Sequence, residues 1–292
     1  MVLSLTLALA LMAGQSVTTG QEIRVEPDPV QQGGMLLVEA ASATPPTCEW
    51  LGVKAAMYPA AGGYRVLLPV DRMRAPGPAE LVVRDESGRE LARRNIVVTE
   101  LDTGPVDVVR LPRDRMALQN DPRLEEESRL IAELLATRTA TPLWSGAFAP
   151  PLALRGHGYG KQRRYEEART RRRGGRGKRA PPFTGYHRGL DFSAEPGTPV
   201  RAANAGRVLA ARRFVLPGNA VFLDHGEGVI TSYFHMSALR VQPGQMVERG
   251  EVVGLVGSTG RSTGPHLHWS VHAQGQAVNP MAALALPDRL WK

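Results

Sequence analysis

The sequence predicts a mainly β protein: an N-terminal β-sandwich, a short helical connector and a C-terminal antiparallel β-rich domain. Three observations carry that expectation. The apolar runs are short and rich in Val, Leu and Ile, and 31 Gly and 23 Pro cut them into strand-sized pieces. Helical periodicity is sustained in only one place. A chain of 292 residues is long enough to build two cores.

The elements follow in order. Residues 2–13, VLSLTLALALMA, form an uncharged apolar run of about twelve residues before the small and polar GQSVTTGQ. That length suits the apolar region of an export signal and falls short of the roughly 20 residues a membrane span needs. No Lys or Arg precedes the run. Residues 1–20 are expected to be a signal peptide and the mature chain to be exported, without a transmembrane anchor.

Residues 21–100 alternate strand candidates with turns: EIRVEP, MLLVEAA, TCEWLG, YRVLLPV, AELVVRD and NIVVTE. Six or seven strands in this span suit a small immunoglobulin-like sandwich. It holds no catalytic cluster, so a spacer or binding module is expected. Cys48 is the only cysteine, which excludes an internal disulfide and a thiolate zinc cluster. Its strand-like surroundings make it a core residue.

Residues 101–141 form the connector. In NDPRLEEESRLIAELLATR, Asn120 or Asp121 can cap a helix and Pro122 suits its first turn. Glu125 to Glu127 complement the positive helix end, and Leu124, Ile131, Leu134 and Leu135 supply an apolar stripe. The second domain, 142–292, returns to glycine-rich strands and is expected to form a compact, curved antiparallel sheet or barrel. Its QPGQMVERGEVVGLVG also occurs in lipoyl and biotinyl carriers. No lysine lies between Lys178 and Lys292 to carry such a group, so that reading fails.

The net charge of +8 is local. Residues 161–180, KQRRYEEARTRRRGGRGKRA, hold ten Lys/Arg against two Glu, and the rest of the chain balances. This basic insert reads as a solvated loop, as a lid, or as an electrostatic anchor for an acidic envelope polymer. Tyr165 is its one aromatic. With so little capacity to stack on bases, it gives no expectation of nucleic acid as a partner.

Five of the seven histidines lie in the final sixty-eight residues. His187 and Asp191 form an H-x-x-x-D in GYHRGLDFSAEPGTP. Gly189 and the Pro/Gly-rich sequel disfavour a helix, so a loop at a strand edge is expected to bring imidazole and carboxylate together. Downstream, STGPHLHW places His266 and His268 on one strand face, roughly 6.6 Å apart, close enough to serve one site with different jobs. Two imidazoles and one carboxylate on zinc leave a fourth position for water, the arrangement of a catalytic site. His272 shares the parity of His268 but lies about 13 Å along the strand, which predicts a surface or turn position. His225 reads as a turn histidine bonding its own backbone. His157, among glycines at the domain entrance, reads as a cleft residue without an assigned role.

Taken together, HRGLDFSAEPGTPV, the SYFHMS around His235, QPGQMVERGEVVGLVGSTG, and GRSTGPHLHWSV followed by VNP resemble the M23 (lysostaphin/LytM-like) metallopeptidases. Members of that family cut peptides of bacterial cell-wall peptidoglycan, and the resemblance covers about residues 142–282. It implies a peptidase domain of the duplicated hybrid motif type, a zinc cofactor, and a periplasmic or cell-wall-associated endopeptidase whose partner is peptidoglycan. It makes His187, Asp191 and His268 the zinc ligands, His266 the general base or proton shuttle, and His235 a second catalytic imidazole supporting the transition state. Gly257, Gly260 and Gly264 are then expected to let the backbone approach an extended substrate. All five chemical positions match, which favours an enzyme. The competing class is a non-catalytic relative that binds cell wall or activates other hydrolases. The basic insert is the clear departure from the family pattern.

Overall fold

The computed structural model describes residues 23–144, 146–168, 180–287 and 290. The export signal expected at 1–20 lies outside the described residues. Nine strands come first: β1 (Ile23–Glu26), β2 (Val30–Gln31), β3 (Met35–Ala40), β4 (Thr47–Trp50), β5 (Val53–Ala56), β6 (Tyr58–Ala60), β7 (Gly63–Pro69), β8 (Gly77–Arg84) and β9 (Glu90–Thr99). They form two sheets, β1-β3-β7-β6 and β2-β9-β8-β4-β5, around one core. Leu36, Val38, Val66 and Leu68 from the first sheet meet Cys48, Trp50, Leu81 and Val83 from the second. Trp50 Nε1 donates to Pro69 O across the gap, at 3.0 Å. Burial, helped by the charge of Glu49, pushes the Cys48 thiol up to about 12, so this cysteine is an inert core residue.

The runs MLLV and RVLLPV are apolar without alternation because their sheet is covered on both sides. Met35, Leu37 and Leu67, on the face opposite the sandwich core, join the core of the second domain. Each such burial contributes about 1.5–3 kcal/mol. At the same junction Arg65 makes a forked, buried ion pair with Glu227, its Nε 3.0 Å from Oε2 and its Nη2 3.0 Å from Oε1. The two domains are therefore packed through a shared core.

The connector is less purely helical than its sequence predicts. It opens with β10 (Asp107–Leu111), followed by α1 (Arg113–Ala117), a 3-10 turn at Leu118–Asn120 and α2 (Leu124–Leu135). Asp121 does not cap α2; its Oδ1 accepts from Arg123 N, two residues on, so the helix begins after that turn. The half-buried stripe that packs on the second domain comprises Leu130, Ile131, Leu134 and Leu135, with Leu130 replacing the expected Leu124.

The first part of the basic insert is not a loop. Gln162–Glu167 form β11, parallel to β10 and antiparallel to β12 (Phe183–Tyr186). Residues 169–179 of the insert lie outside the described residues.

The remaining elements are β13 (Leu190–Ser193), β14 (Pro199–Arg201), β15 (Gly206–Phe214), β16 (Gly218–Asp224), β17 (Val229–Met236), β18 (Ala238–Leu239), β19 (Met246–Val247), β20 (Val252–Leu255), β21 (His266–Ala273), β22 (Gln276–Val278) and α3 (Pro280–Leu284). The main sheet runs β13-β21-β17-β16-β15-β19, with β22 on β21, and β14-β20-β18 form a smaller sheet. Val221, Tyr233, Leu267, Trp269 and Val271 fill the domain core on one face of the main sheet. The opposite face divides. At one end α2 packs on Phe214, Phe222 and Ile230. At the other end, β13 and β21 carry the polar side chains described next. No helix among the described residues is long and apolar enough to cross a membrane.

Candidate active site

Backbone pairing assembles the site. β13 and β21 are antiparallel with Asp191 opposite His268 and Ser193 opposite His266. Directly opposed residues share a face, so Asp191, His266 and His268 project to one side. His187, just before β13, is held by its backbone: His187 N donates to Lys161 O at 2.9 Å. His157 belongs to the frame, exchanging backbone hydrogen bonds with Asp191 at 2.9 and 3.1 Å.

Three donor atoms converge. His187 Nε2 lies 2.9 Å from Asp191 Oδ1 and 3.0 Å from His268 Nδ1, and His268 Nδ1 lies 2.9 Å from Asp191 Oδ1. Each of these three side chains has its remaining polar atom engaged. His187 Nδ1 donates to Gly158 O at 2.8 Å, which leaves Nε2 a bare lone pair. His268 Nε2 meets Ser270 Oγ at 2.8 Å. Asp191 Oδ2 accepts from Arg163 Nη2 at 2.8 Å. Burial pushes the Asp191 carboxyl up, but the imidazoles of His187 and His268 outweigh it and hold the group far below the usual carboxylate range. Lone pairs this close repel one another unless a proton or a cation lies among them. The donor set therefore fits a metal ion, with outer partners already orienting each donor.

The other two imidazoles flank this cluster. His266 Nδ1 donates to Gly264 O at 2.8 Å, so its Nε2 is free, and that atom lies 3.8 Å from Asp191 Oδ1. His235 reaches the site through a backbone irregularity. Strict alternation would send it to the core side with Tyr233. The register slips between Asn219 and Val221, and His235 has φ 65°, a left-handed conformation rare outside glycine. This bulge places Phe234 and His235 on the cleft together, with Phe234 stacked on His268 at 5.3 Å and His235 at 4.8 Å from His266 between ring centres. His235 Nδ1 donates to Thr259 O at 2.9 Å. Burial, reinforced by His266 and His268, keeps His235 well below the usual imidazole range and hence neutral.

The cleft above these groups has a volume of about 730 Å³. Its floor is the β13–β21–β17 face, and its side wall is the sheet of β10, β11 and β12, through Val109, Arg163, Tyr165 and Phe183.

Residues 185–280 match the model for peptidase family M23. The chain carries an M23 peptidase domain. A stretch of 101 residues is 50% identical to the DD-carboxypeptidase/endopeptidase Mpg of Neisseria meningitidis, covering 35% of this chain and 23% of that one. The peptidoglycan DD-endopeptidase ShyA of Vibrio cholerae is 44% identical over 97 residues, covering 33% and 23%. The chain thus spans about a quarter of the length of these curated relatives. A crystal structure assigned to peptidase M23 from Pseudomonas aeruginosa is similar over 88% of this chain and 94% of its own, with 26% identity and a TM-score of 0.61. That likeness reaches well beyond the M23 domain into the preceding half of the chain.

Within the M23 domain the structure brings together all five residues singled out from sequence, and it corrects three other expectations. His272 is not at a surface or turn: it is buried within β21, because β17 and β22 pair on either side of it. His225 is fully buried, bonded to Ala205 O and Thr231 Oγ1 at 2.7 Å each. Of the three glycines expected to admit substrate, two serve the fold. A side chain at Gly257 would run into the backbone of Met236–Ser237, and one at Gly260 into that of Leu216–Gly218. Only Gly264 has open space beside its Cα. Sequence reasoning missed Arg163, Ser270 and Phe234. The one available signal was an arginine at an alternating position in QRRYEE, which is weak.

Proposed function

We propose that the chain is a zinc-dependent endopeptidase that hydrolyses peptide bonds in the stem or cross-bridge peptides of peptidoglycan. The observation that carries this reading is the convergence of His187 Nε2, Asp191 Oδ1 and His268 Nδ1 within 4.8 Å, flanked by two imidazoles with free Nε2 atoms. Two nitrogens and one carboxylate oxygen leave a tetrahedral ion one open position. When bound, zinc supplies Lewis acidity toward a scissile carbonyl and an attacking water. The chain's own residues supply the rest. His266 Nε2 takes the proton from the water and returns it to the leaving amine. Neutral His235, its Nδ1 proton committed to Thr259 O, accepts a second hydrogen bond from the same water and fixes its direction of attack. Arg163 and Ser270 hold Asp191 and His268 in position.

Peptidoglycan lies outside the cytoplasm, which agrees with the apolar run at 2–13 as an export signal. The names of the Neisseria and Vibrio relatives support the same substrate. The test is release of soluble peptides from purified peptidoglycan by the wild-type protein, by the protein with chelator, by chelated protein given zinc again, and by His268→Ala. Release by wild type, lost with chelator and in His268→Ala and restored by zinc, is expected. Equal release in all four samples overturns the proposal.

A further inference from the structure

We propose that Arg261 is a carboxylate-recognising group in the substrate cleft, reading a free carboxylate on the peptide beside the bond to be cut. The inference rests on the peptidase reading above and names what that cleft selects.

Arg261 leaves the loop between β20 and β21 and enters the cleft that also holds His266 and His268. Tyr165 of β11 and Phe183 of β12 are stacked 4.8 Å apart, and the guanidinium lies over both rings, at 4.7 and 5.3 Å. Gln119 Oε1, from the connector, accepts from Nη1 at 2.5 Å. The Arg261 backbone N–H donates to Leu216 O at 2.9 Å. Three separate segments thus fix the side chain, and a fourth fixes the backbone that carries it. Such rigidity lowers the entropy lost when the planar fork meets a ligand.

Among the described residues the fork has no counter-charge. Among the described residues Arg261 makes no ion pair, and no hydrogen bond uses its other guanidinium donors. Burial pulls its pKa down, and Arg163 adds to that effect, as expected for a half-buried cation without an anion. A guanidinium in this state normally has a carboxylate or phosphate partner. The cleft cannot supply one. Among the described residues Arg163, Arg188 and Arg261 line it, Asp191 is the one carboxylate in its lining, and that group is committed to His187, His268 and Arg163. The partner must come with the substrate. On the peptidase reading the substrate is a peptide, so the anion is a peptide carboxylate, either of a side chain or at a chain end. The aromatic platform keeps the fork aimed while leaving its edge for a bidentate contact.

The test uses two peptidoglycan peptides that differ only in whether their carboxylates are free or amidated. For each, kcat/KM is measured with zinc-loaded wild type and R261Q, and Kd with the same proteins after metal removal. Wild type is expected to prefer the free carboxylate by about tenfold to a hundredfold in both readouts, the range of a charge-assisted hydrogen bond. R261Q should lose that preference while keeping its weaker handling of the amide. R261K, which retains charge without the fork, should fall between. Equal handling of the two peptides by wild type, binding of neither, or an unchanged preference in R261Q overturns the proposal. Carboxylate-dependent binding with no cleavage of either peptide would instead remove the peptidase reading and leave the recognition site standing.

Discussion

His268 and His272 lie on the same strand and the same face, four residues apart, yet they inhabit different chemistry. His268 meets a carboxylate and a second imidazole through Nδ1 and a hydroxyl through Nε2. His272 is buried with its Nδ1 unpartnered, and burial lowers its pKa to about 4. Strand parity gives both the same direction. What separates them is the neighbouring strand: β13 begins beside Trp269 and sets Asp191 opposite His268, whereas His272 lies opposite Ile230 and Ala277. A face of a sheet becomes a site only where an edge strand delivers complementary donors.

The largest test of that contrast is to remove each imidazole in turn. His268→Ala or His187→Ala should abolish stoichiometric metal binding and bring peptide hydrolysis to background. His266→Ala should keep the metal, since its Nε2 is a flank and not a corner of the triad, and lower kcat by about 10²–10⁴. His272→Gln should leave metal content unchanged. Metal analysis beside steady-state kinetics checks all four, and loss of metal in His266→Ala would reverse the assignment of the two histidines in H-x-H.

The core histidines sharpen the comparison through stability. His225 and His272 both have pKa values lowered to about 4 from 6.5 by burial. Between those values the unfolded chain binds more protons than the folded one, so stability rises with pH. It is fully present above about pH 6.5 and is lost as pH falls toward 4, by roughly 3 kcal/mol for each histidine. Denaturant unfolding of metal-free protein from pH 4 to 7 should show this slope, and His272→Gln should flatten part of it. A variant slope equal to that of wild type would mean that His272 does not charge on unfolding.

Much of this was legible in the sequence because it is local. Short Val/Leu/Ile runs cut by turns mark the strands, and H-x-x-x-D and H-x-H each lie within a few residues, so their convergence needed only one strand pairing. What was hidden depends on longer range or on broken pattern. QRRYEE has no apolar alternation and becomes a strand by parallel pairing with β10, more than fifty residues earlier. Arg163 reaches Asp191 only through that placement. His235 is on the cleft because a bulge overrides its parity, which no period announces.

Arg163 offers a smaller and more specific break. It touches Asp191 Oδ2, leaving the three donor atoms themselves in place. Arg163→Gln should weaken metal affinity by about 10–100-fold, the usual cost of losing an outer partner of a ligand. Competition with a chromophoric chelator measures it directly. Ser270→Ala, acting on His268 from its other nitrogen, should fall in the same range. An effect confined to kcat, with metal affinity unchanged, would mean that these residues act on substrate and not on the ligands.

The least effect is expected from the remainder of the basic insert. It joins β11 to β12, and the two ends of that connection are close: Ala180 N donates to Glu167 Oε2 at 3.1 Å. Replacing 171–178 by a short turn should therefore preserve the cleft wall and leave hydrolysis of a small soluble peptide unchanged. If the segment anchors the protein to an acidic envelope polymer, the shortened chain should be retained less by whole cell wall at low ionic strength. The difference should vanish near 1 M salt, where screening shortens the reach of a charge to about 3 Å. Retention that is equal at every salt concentration would reduce this segment to a connection, and would leave the cleft arginines as the chain's means of selecting an anionic substrate.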